Sequence, residues 1–190
     1  WSSDVCSSDL QFFLDGKEIM IRRPEDAIRA GIVLAPEDRK KDGLCTKLSI
    51  RHNIALPNLD LLCSRMGVVS RTKEDEMCNK VVADLKVKTP NVDVNAGNLS
   101  GGNQQKVIFG KWLERSPQVF MMDEPTRGID VGAKYEIYEL IINMAKQGKT
   151  IIVVSSEMPE ILGITNRIGV MSNGRLSGIV NTKETDQEEL

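Results

Sequence analysis

Two stretches of the sequence decide the fold: NLSGGNQQK at residues 98–106 and VFMMDEPT at residues 119–126. In the first, Ser100 and two glycines precede a helical pattern. The start of a helix presents unpaired N–H groups and a positive dipole end to an anion such as phosphate. In the second, an apolar strand ends at Asp123, which suits Mg²⁺, and Glu124, which suits polarising an attacking water. Each stretch alone is weak evidence, because Ser-Gly-Gly also serves as a plain helix cap. In this order they indicate nucleotide chemistry.

The chain after residue 118 alternates between strand and helix patterns. The apolar periods predict strands at 119–122, 150–154 and 167–171, a helix at 133–146 and a short helix at 159–162. Such alternation predicts an α/β fold with a parallel sheet flanked by helices. Asn173-Gly174 predicts a hairpin that leads into a strand at 175–180, and an interrupted helix is expected from 184 to 190.

The chain before residue 98 contains no motif that carries chemistry. Asp15-Gly16 predicts a hairpin, residues 24–30 a helix and residues 32–35 a strand, and the charged segment 36–43 is expected to be an exposed loop. Residues 49–97 read as a helical insert with Ser49 and Thr72 as helix caps. His52 has no second ligand nearby and is expected to be a packing or surface residue. Residues 1–10 are expected to be an extraneous or disordered leader.

Composition and spacing exclude several classes of protein. The net charge of −2 gives no basic field for nucleic acid. The cysteines, which never approach CxxC spacing, are expected to be reduced thiols in a cytosolic protein. All apolar runs fall short of the ~20 residues of a membrane span, so any role at a membrane would depend on partners. Gly148-Lys149-Thr150 mimics the end of a phosphate-binding loop, but Lys149 leads into a strand rather than a helix, which favours a simple turn.

These motifs resemble those of ATP-binding cassette (ABC) ATPases. LSGGNQQ at 99–105 looks like the signature motif, residues 119–124 look like Walker B with its catalytic glutamate, and GID at 128–130 looks like the D-loop. The strings PEDRK at 36–40, PTRGIDVGAK at 125–134 and SSEMPE at 155–160 are similar to the second cassette of the twin-cassette ATPases that energise bacterial monosaccharide importers. The resemblance covers about residues 12–190.

The resemblance implies a RecA-like P-loop NTPase core within a partial nucleotide-binding domain at 11–190, with a helical subdomain inserted at about 47–100. It implies ATP and Mg²⁺ as cofactors, with ATP held between two cassettes. The ATP site of the partner cassette, in the N-terminal half of the same protein, is then expected to be completed by Ser100, Gly101 and Gly102, with the helix at 103–115 behind them. Gln105, Asp130 and Glu37 are further residues expected to bind the cofactor. A second ATP site is expected to be lined by Asp123 as the metal ligand and by Glu124 and Ser156 as catalytic residues.

Two positions depart from the family pattern. Glu37 stands where the family has the nucleotide-binding glutamine of the Q-loop, and Ser156 stands where it has the switch histidine. Serine cannot replace a charged imidazole beside the γ-phosphate, and a carboxylate adds negative charge there. The chain therefore resembles the degenerate half of an asymmetric pair.

The Walker A segment expected before Gln11 is missing, so the chain looks like a fragment that alone binds ATP poorly and is inactive. The intact protein is expected to be a transport-coupled ATPase at the cytoplasmic face of the inner membrane. Its expected partners are membrane permease subunits and, indirectly, a periplasmic sugar-binding protein, without nucleic acid. Two alternatives stay open: a soluble ABC-type ATPase of translation or repair, and a catalytically inert fragment.

Overall fold

The computed structural model describes residues 11–186, which begin with a hairpin and a short helix. β1 (Phe12–Leu14) pairs antiparallel with β2 (Lys17–Ile19), and α1 (Pro24–Arg29) follows. Asp15 and Gly16 form the turn with left-handed φ angles of 51° and 74°, as the dipeptide predicts. The predicted leader at 1–10 lies outside the described residues, as do residues 187–190 of the predicted C-terminal helix.

A three-stranded parallel sheet forms the centre of the α/β fold. Its strands, in spatial order, are β3 (Ile32–Ala35), β4 (Val119–Asp123) and β5 (Thr150–Val154). Val33 is in register with Phe120, which in turn faces Ile151. Because β4 is central, its carboxyl end, where Asp123 lies, is flanked by the segments that follow β3 and β5. The predicted parallel sheet is thus confirmed for these strands.

Six helices complete the described α/β architecture. They are α2 (Ile50–Ala55), α3 (Leu59–Leu62), α4 (Arg71–Asp84), α5 (Gly101–Leu113), α6 (Val131–Lys146) and α7 (Met158–Ile164). α5 packs on β3 and α6 packs on β5. The ring of Phe109 on α5 meets Phe120 of the sheet edge-on, with 5.5 Å between ring centroids. Both phenylalanines are fully buried, so α5 is fixed on the sheet.

The helical insert between β3 and α5 contains α2, α3 and α4, and a continuous apolar core joins it to the sheet. Ser49 caps α2 as predicted, since its side chain accepts a hydrogen bond from the backbone N–H of His52. The second predicted cap is wrong: Ser70, not Thr72, caps α4. Both residues are capping types, and only the path of the chain into α4 decides between them. The subdomain boundaries at 47 and 100 stay a prediction.

The charged segment 36–43 differs from the predicted exposed loop, because its second half forms one π-helical turn over Arg39–Gly43. The carboxylate of Asp38 caps this turn by accepting hydrogen bonds from the N–H groups of Lys40 and Lys41, at 3.0 Å each. Gly43 is buried, and a Cβ there would lie 2.7 Å from the Cδ1 of Ile108 on α5. The segment is therefore docked on α5 by a close approach that glycine permits.

The last two strands are not part of the parallel sheet, which corrects the expectation drawn from alternation. β6 (Arg167–Ser172) pairs antiparallel with β7 (Arg175–Asn181) in a separate two-stranded sheet. Asn173 and Gly174 form the predicted turn with φ angles of 50° and 74°. The two-residue turn accounts for the antiparallel pairing of β6 with β7, whereas the alternating pattern carries no information about which strands share a sheet.

Candidate functional site

The N-terminus of α5 leaves its first-turn N–H groups available to a ligand. Ser100 is the N-cap residue, with extended backbone angles of φ −61° and ψ 157°, but its side chain does not cap the helix. By contrast, the carboxylate of Asp130 caps α6 by accepting a hydrogen bond from the N–H of Ala133 at 3.0 Å. α5 is 13 residues long, and its N-terminus has no side-chain cap. The positive end of the helix dipole and the free N–H groups there are chemically suited to bind phosphate.

The two glycines of this turn permit its close contact with the start of α6. A Cβ on Gly102 would lie 2.7 Å from the Cβ of Ala133, and a Cβ on Gly101 would lie 3.2 Å from the carbonyl oxygen of Gly128. Gly128 itself has a left-handed φ of 64°. The sequence predicted both glycines as part of the site, and the structure shows that backbone packing requires their small size.

A pocket of about 240 Å³ lies where the start of α5 meets the start of α6. The structure thus brings together three of the predicted residues, Ser100, Gly102 and Asp130. The complete lining consists of Lys88, Ser100, Gly102, Asn103, Asp130, Gly132, Ala133 and Glu136. Hydroxyl, ammonium and helix N–H donors at one opening suit an anionic ligand. We call this opening the signature pocket.

Gln105 does not belong to the signature pocket. Only 1% of its surface is exposed, and its Nε2 has no hydrogen-bond partner among the described residues. It lies on the face of α5 that packs into the protein, so the prediction that this side chain binds the cofactor finds no support in its position. Residues of one sequence motif were predicted to share one site. Because an α-helix has about 3.6 residues per turn, however, neighbouring residues of the motif point to different faces of α5.

The carboxyl end of β4 brings Glu124 and Ser156 together. The carboxylate of Glu124 accepts a hydrogen bond from the backbone N–H of Ser156 at 2.8 Å. The N–H of Glu124 donates to the carbonyl of Val154, also at 2.8 Å, and its φ of 44° is unusual for a residue other than glycine. Neither Glu124 nor Ser156 lines the signature pocket, so the predicted residues form two separate groups.

A buried carboxylate that the sequence did not indicate supports this second group. Glu160 on α7 is 3% exposed and accepts a 2.9 Å hydrogen bond from the hydroxyl of Thr126. Its other oxygen accepts from the hydroxyl of Ser155. Glu160 thereby joins the segments that follow β4 and β5 and holds Ser156 beside Glu124. From the sequence, an acid in the first turn of α7 indicates a favourable interaction with the helix dipole, but it does not indicate that the side chain is buried.

The segment that follows β3 is anchored to the segment that follows β4. Glu37 forms an ion pair with Arg127, and Nη1 of Arg39 donates a 2.6 Å hydrogen bond to the carbonyl oxygen of Arg127. Partial burial lowers the pKa of Arg39 from its ordinary value. The guanidinium of Arg39 also lies 3.4 and 3.5 Å from the positions that a Cβ on Gly101 and on Gly128 would occupy. Glu37 itself contacts the segment that follows β4 and does not line the signature pocket.

The chemistry of the donor set fits a magnesium nucleotide. Asp123 is partly buried at the carboxyl end of β4, and one carboxylate together with phosphate oxygens and waters is a normal ligand set for Mg²⁺. Across residues 11–186, no group of three or more His, Cys, Asp and Glu side chains is arranged to hold a metal by itself. Within the same residues, no helix has the length and apolar character needed to cross a membrane.

The fold and the two groups of residues define a nucleotide-binding cassette, and a family comparison identifies its kind. The sequence profile of the ABC transporter family matches residues 11–127, which is more than half of the chain. The chain belongs to this family. An ATP-binding cassette in a dimeric post-hydrolysis state, bound to ADP and phosphate, has the same fold with a TM-score of 0.74 at 19% identity, covering 90% of this chain and 73% of that one.

Curated relatives are considerably closer in sequence. The galactose/methyl galactoside import ATP-binding protein of Treponema denticola is 58% identical over 93% of this chain, and that of Treponema pallidum is 55% identical over 96%. A putative ribose/galactose/methyl galactoside import ATP-binding protein of Agrobacterium fabrum is 48% identical over 93%. The chain spans only 35% to 37% of the length of these relatives.

Proposed function

We propose that this chain is part of the ATP-binding subunit of a sugar importer. The observation that carries the proposal is the signature pocket, in which Ser100 and the uncapped N-terminus of α5 meet the start of α6. The names of the relatives support sugar import, and the resemblance of residues 36–40, 125–134 and 155–160 to monosaccharide importers supports the same class.

In the proposed mechanism, Ser100 and the first N–H groups of α5 bind the phosphates of an ATP held mainly by a second cassette. Gly101 and Gly102 let the backbone approach those phosphates closely, while Asp130 fixes the start of α6 at the pocket. When bound, Mg-ATP supplies the phosphoryl group and the free energy for transport. The second cassette is proposed to be the N-terminal half of the same protein.

The second group of residues is proposed to serve a different ATP. There, Asp123 would hold Mg²⁺ and Glu124 would orient the attacking water. The N–H of Ser156 holds the carboxylate of Glu124 in place, but serine supplies no imidazole to contact the γ-phosphate. This half is therefore proposed to hydrolyse ATP more slowly than the half completed by the signature pocket.

The helical insert is proposed to contact membrane permease subunits, with the chain at the cytoplasmic face of the inner membrane. A pocket of about 390 Å³ on this insert is lined by apolar residues that include Leu56, Leu59 and Val69, together with the charged Arg71 and Glu74. The three apolar side chains are 40% to 48% exposed. Exposed apolar groups with a charged rim favour a protein partner. A periplasmic sugar-binding protein would act on this chain only through the permease.

Uptake measurements test this proposal. The complete protein is expressed in bacterial cells that lack their own galactoside-import ATPase but retain its permease and binding protein, and uptake of labelled methyl galactoside is measured. We expect ATP-dependent uptake to return to at least about half of the parental rate. Absence of uptake, combined with co-purification of ribosomes or DNA, would favour the soluble-ATPase alternative.

The Glu37–Arg127 ion pair provides a test of coupling between hydrolysis and transport. We expect Glu37→Arg to lower sugar uptake per ATP hydrolysed by about fivefold, because two like charges then separate the segments that follow β3 and β4. Uptake and phosphate release are measured together on the complete transporter in proteoliposomes. The matched control is the double variant Glu37→Arg/Arg127→Glu, which restores an ion pair and should restore coupling. An unchanged ratio in the single variant would contradict this role.

A further inference from the structure

Asn103 connects the signature serine to the segment that follows α4. Its Oδ1 accepts a hydrogen bond from the backbone N–H of Lys88 at 2.7 Å. Its Nδ2 lies 2.9 Å from the Oγ of Ser100. All three residues line the signature pocket. Asn103 lies inside the signature string but is not among the residues that the sequence predicted to bind ATP.

The direction of these two hydrogen bonds is fixed by chemistry. A backbone N–H can only donate, so the oxygen of the Asn103 amide must face Lys88 and the NH₂ group must face Ser100. The hydroxyl oxygen of Ser100 therefore accepts from Asn103. Because that lone pair is occupied, the hydroxyl hydrogen of Ser100 is directed away from Asn103, towards another acceptor.

The Lys88 N–H that starts this chain of hydrogen bonds is itself held in place. The Nζ of Lys106, a residue only 3% exposed, donates to the carbonyl of Lys86 at 3.0 Å and to the carboxylate of Glu136 at 2.7 Å. The N–H of Val87 donates to the carbonyl of Val82 on α4 at 2.9 Å. The segment 86–88 is thus fixed both to α4 and to α5.

The two ammonium groups beside the pocket, those of Lys88 and Lys106, share one carboxylate. Glu136 pairs with Lys106 at 2.7 Å and with Lys88 at 3.3 Å, and together these contacts lower the pKa of its carboxyl group. Glu136 thus offsets part of this positive charge, and the directional contacts to an anion come from the Ser100 hydroxyl and the N–H groups of α5.

We propose that Asn103 is a positioning residue that orients the Ser100 hydroxyl as a hydrogen-bond donor to a phosphate oxygen in the signature pocket. This inference rests on the proposed function of that pocket. The segment after α4 also contributes to this positioning, because the backbone N–H of Lys88 sets the orientation of the Asn103 amide.

The first test is Asn103→Asp in the complete protein, in which an added negative charge repels phosphate as well as reorienting the Ser100 hydroxyl. Aspartate keeps the shape and still accepts from Lys88, but its second oxygen accepts the Ser100 hydrogen and so turns that hydrogen inward. An acid in the first turn of a helix does not weaken the helix. We expect ATP hydrolysis to fall at least about tenfold. The charge-matched control is Asn143→Asp, on the exposed surface of the last turns of α6, which should keep activity within about twofold.

A double-mutant cycle separates orientation from general structural support. In the Ser100 background, we expect Asn103→Ala to lower ATP hydrolysis about fivefold, and in the Ser100→Ala background by less than about twofold. Multiplicative losses would overturn the role of Asn103 while leaving the proposed function intact. If Ser100→Ala itself leaves hydrolysis unchanged, the proposed function of the pocket is wrong and the inference fails with it.

Discussion

We expect Ser100→Arg to lower ATP hydrolysis by the complete protein at least about 100-fold, which corresponds to ~2.7 kcal/mol of lost transition-state stabilisation. The substitution removes the hydroxyl that the structure places in a pocket of about 240 Å³. A side chain as long as arginine fills much of that space and prevents close approach of a second cassette. The loss should appear mainly in kcat, because the contact completes the closed state.

The measurement is phosphate release at saturating Mg-ATP by the protein assembled with its permease. The matched control is Ser172→Arg, an exposed serine beside the turn of the β6–β7 hairpin. It adds the same side chain outside the pocket and should retain more than about half of the parental rate. Full activity in Ser100→Arg would show that the signature pocket does not complete a hydrolytic site.

The second large effect is expected on stability, from Arg51→Ala in α2. The side chain of Arg51 is 7% exposed, and its Nε donates to Asp93 at 2.8 Å while Nη1 pairs with Asp75. Nη1 also lies 3.9 Å from the carboxylate of Glu74, which is 8% exposed. Asp75 and Asp93 are 44% and 62% exposed, and Glu74 keeps its 2.9 Å contact with Arg71, so the carboxylates do not become buried unpaired charges. The cost of the substitution is instead the lost packing of the Arg51 side chain and its lost hydrogen bonds, about 2 to 3 kcal/mol in all.

Hydrogen exchange in the complete protein measures this effect locally. We expect amide protection in α2 and in residues 92–94 to fall about 100-fold, since Ile50 and Arg51 donate backbone hydrogen bonds to Val94 and Val92. Arg71→Ala is the control: its side chain is 66% exposed and it also pairs with Glu74, so its removal should cost no more than about 1 kcal/mol. Equal protection in Arg51→Ala and Arg71→Ala would contradict the role given to the buried Arg51 side chain.

The same cluster has a defined pH dependence. The hydrogen bond from Arg51 lowers the pKa of Asp93 below its ordinary value. A carboxyl group whose folded pKa is lowered stabilises the fold above the unfolded value of about 4, and this contribution is lost as the pH falls through the folded pKa. The difference in thermal unfolding midpoint between Arg51→Ala and the parent should therefore be constant above about pH 5 and shrink below pH 4.

Local sequence features predicted local structure well. Asp15-Gly16 and Asn173-Gly174 indicated their hairpins because positive φ angles are required there, and Ser49 indicated a helix start because its side chain can satisfy an N–H group. Thr72 failed as a cap because two neighbouring residues had the same chemistry. The strand at 167–171 was placed in the wrong sheet because alternation gives no information about which strands pair.

By itself, the sequence determined the α/β class and the two motif stretches that belong to an ABC cassette, because these depend on residue type at fixed short spacing. The tertiary structure alone decided that Gln105 is buried, that Glu160 joins the segments after β4 and β5, and that Asn103 links Ser100 to Lys88. These contacts join residues on different elements, so they depend on how the helices and strands pack. Hydrophobic periodicity specifies which face of a helix or strand is buried, but it does not specify which polar groups will lie opposite that face.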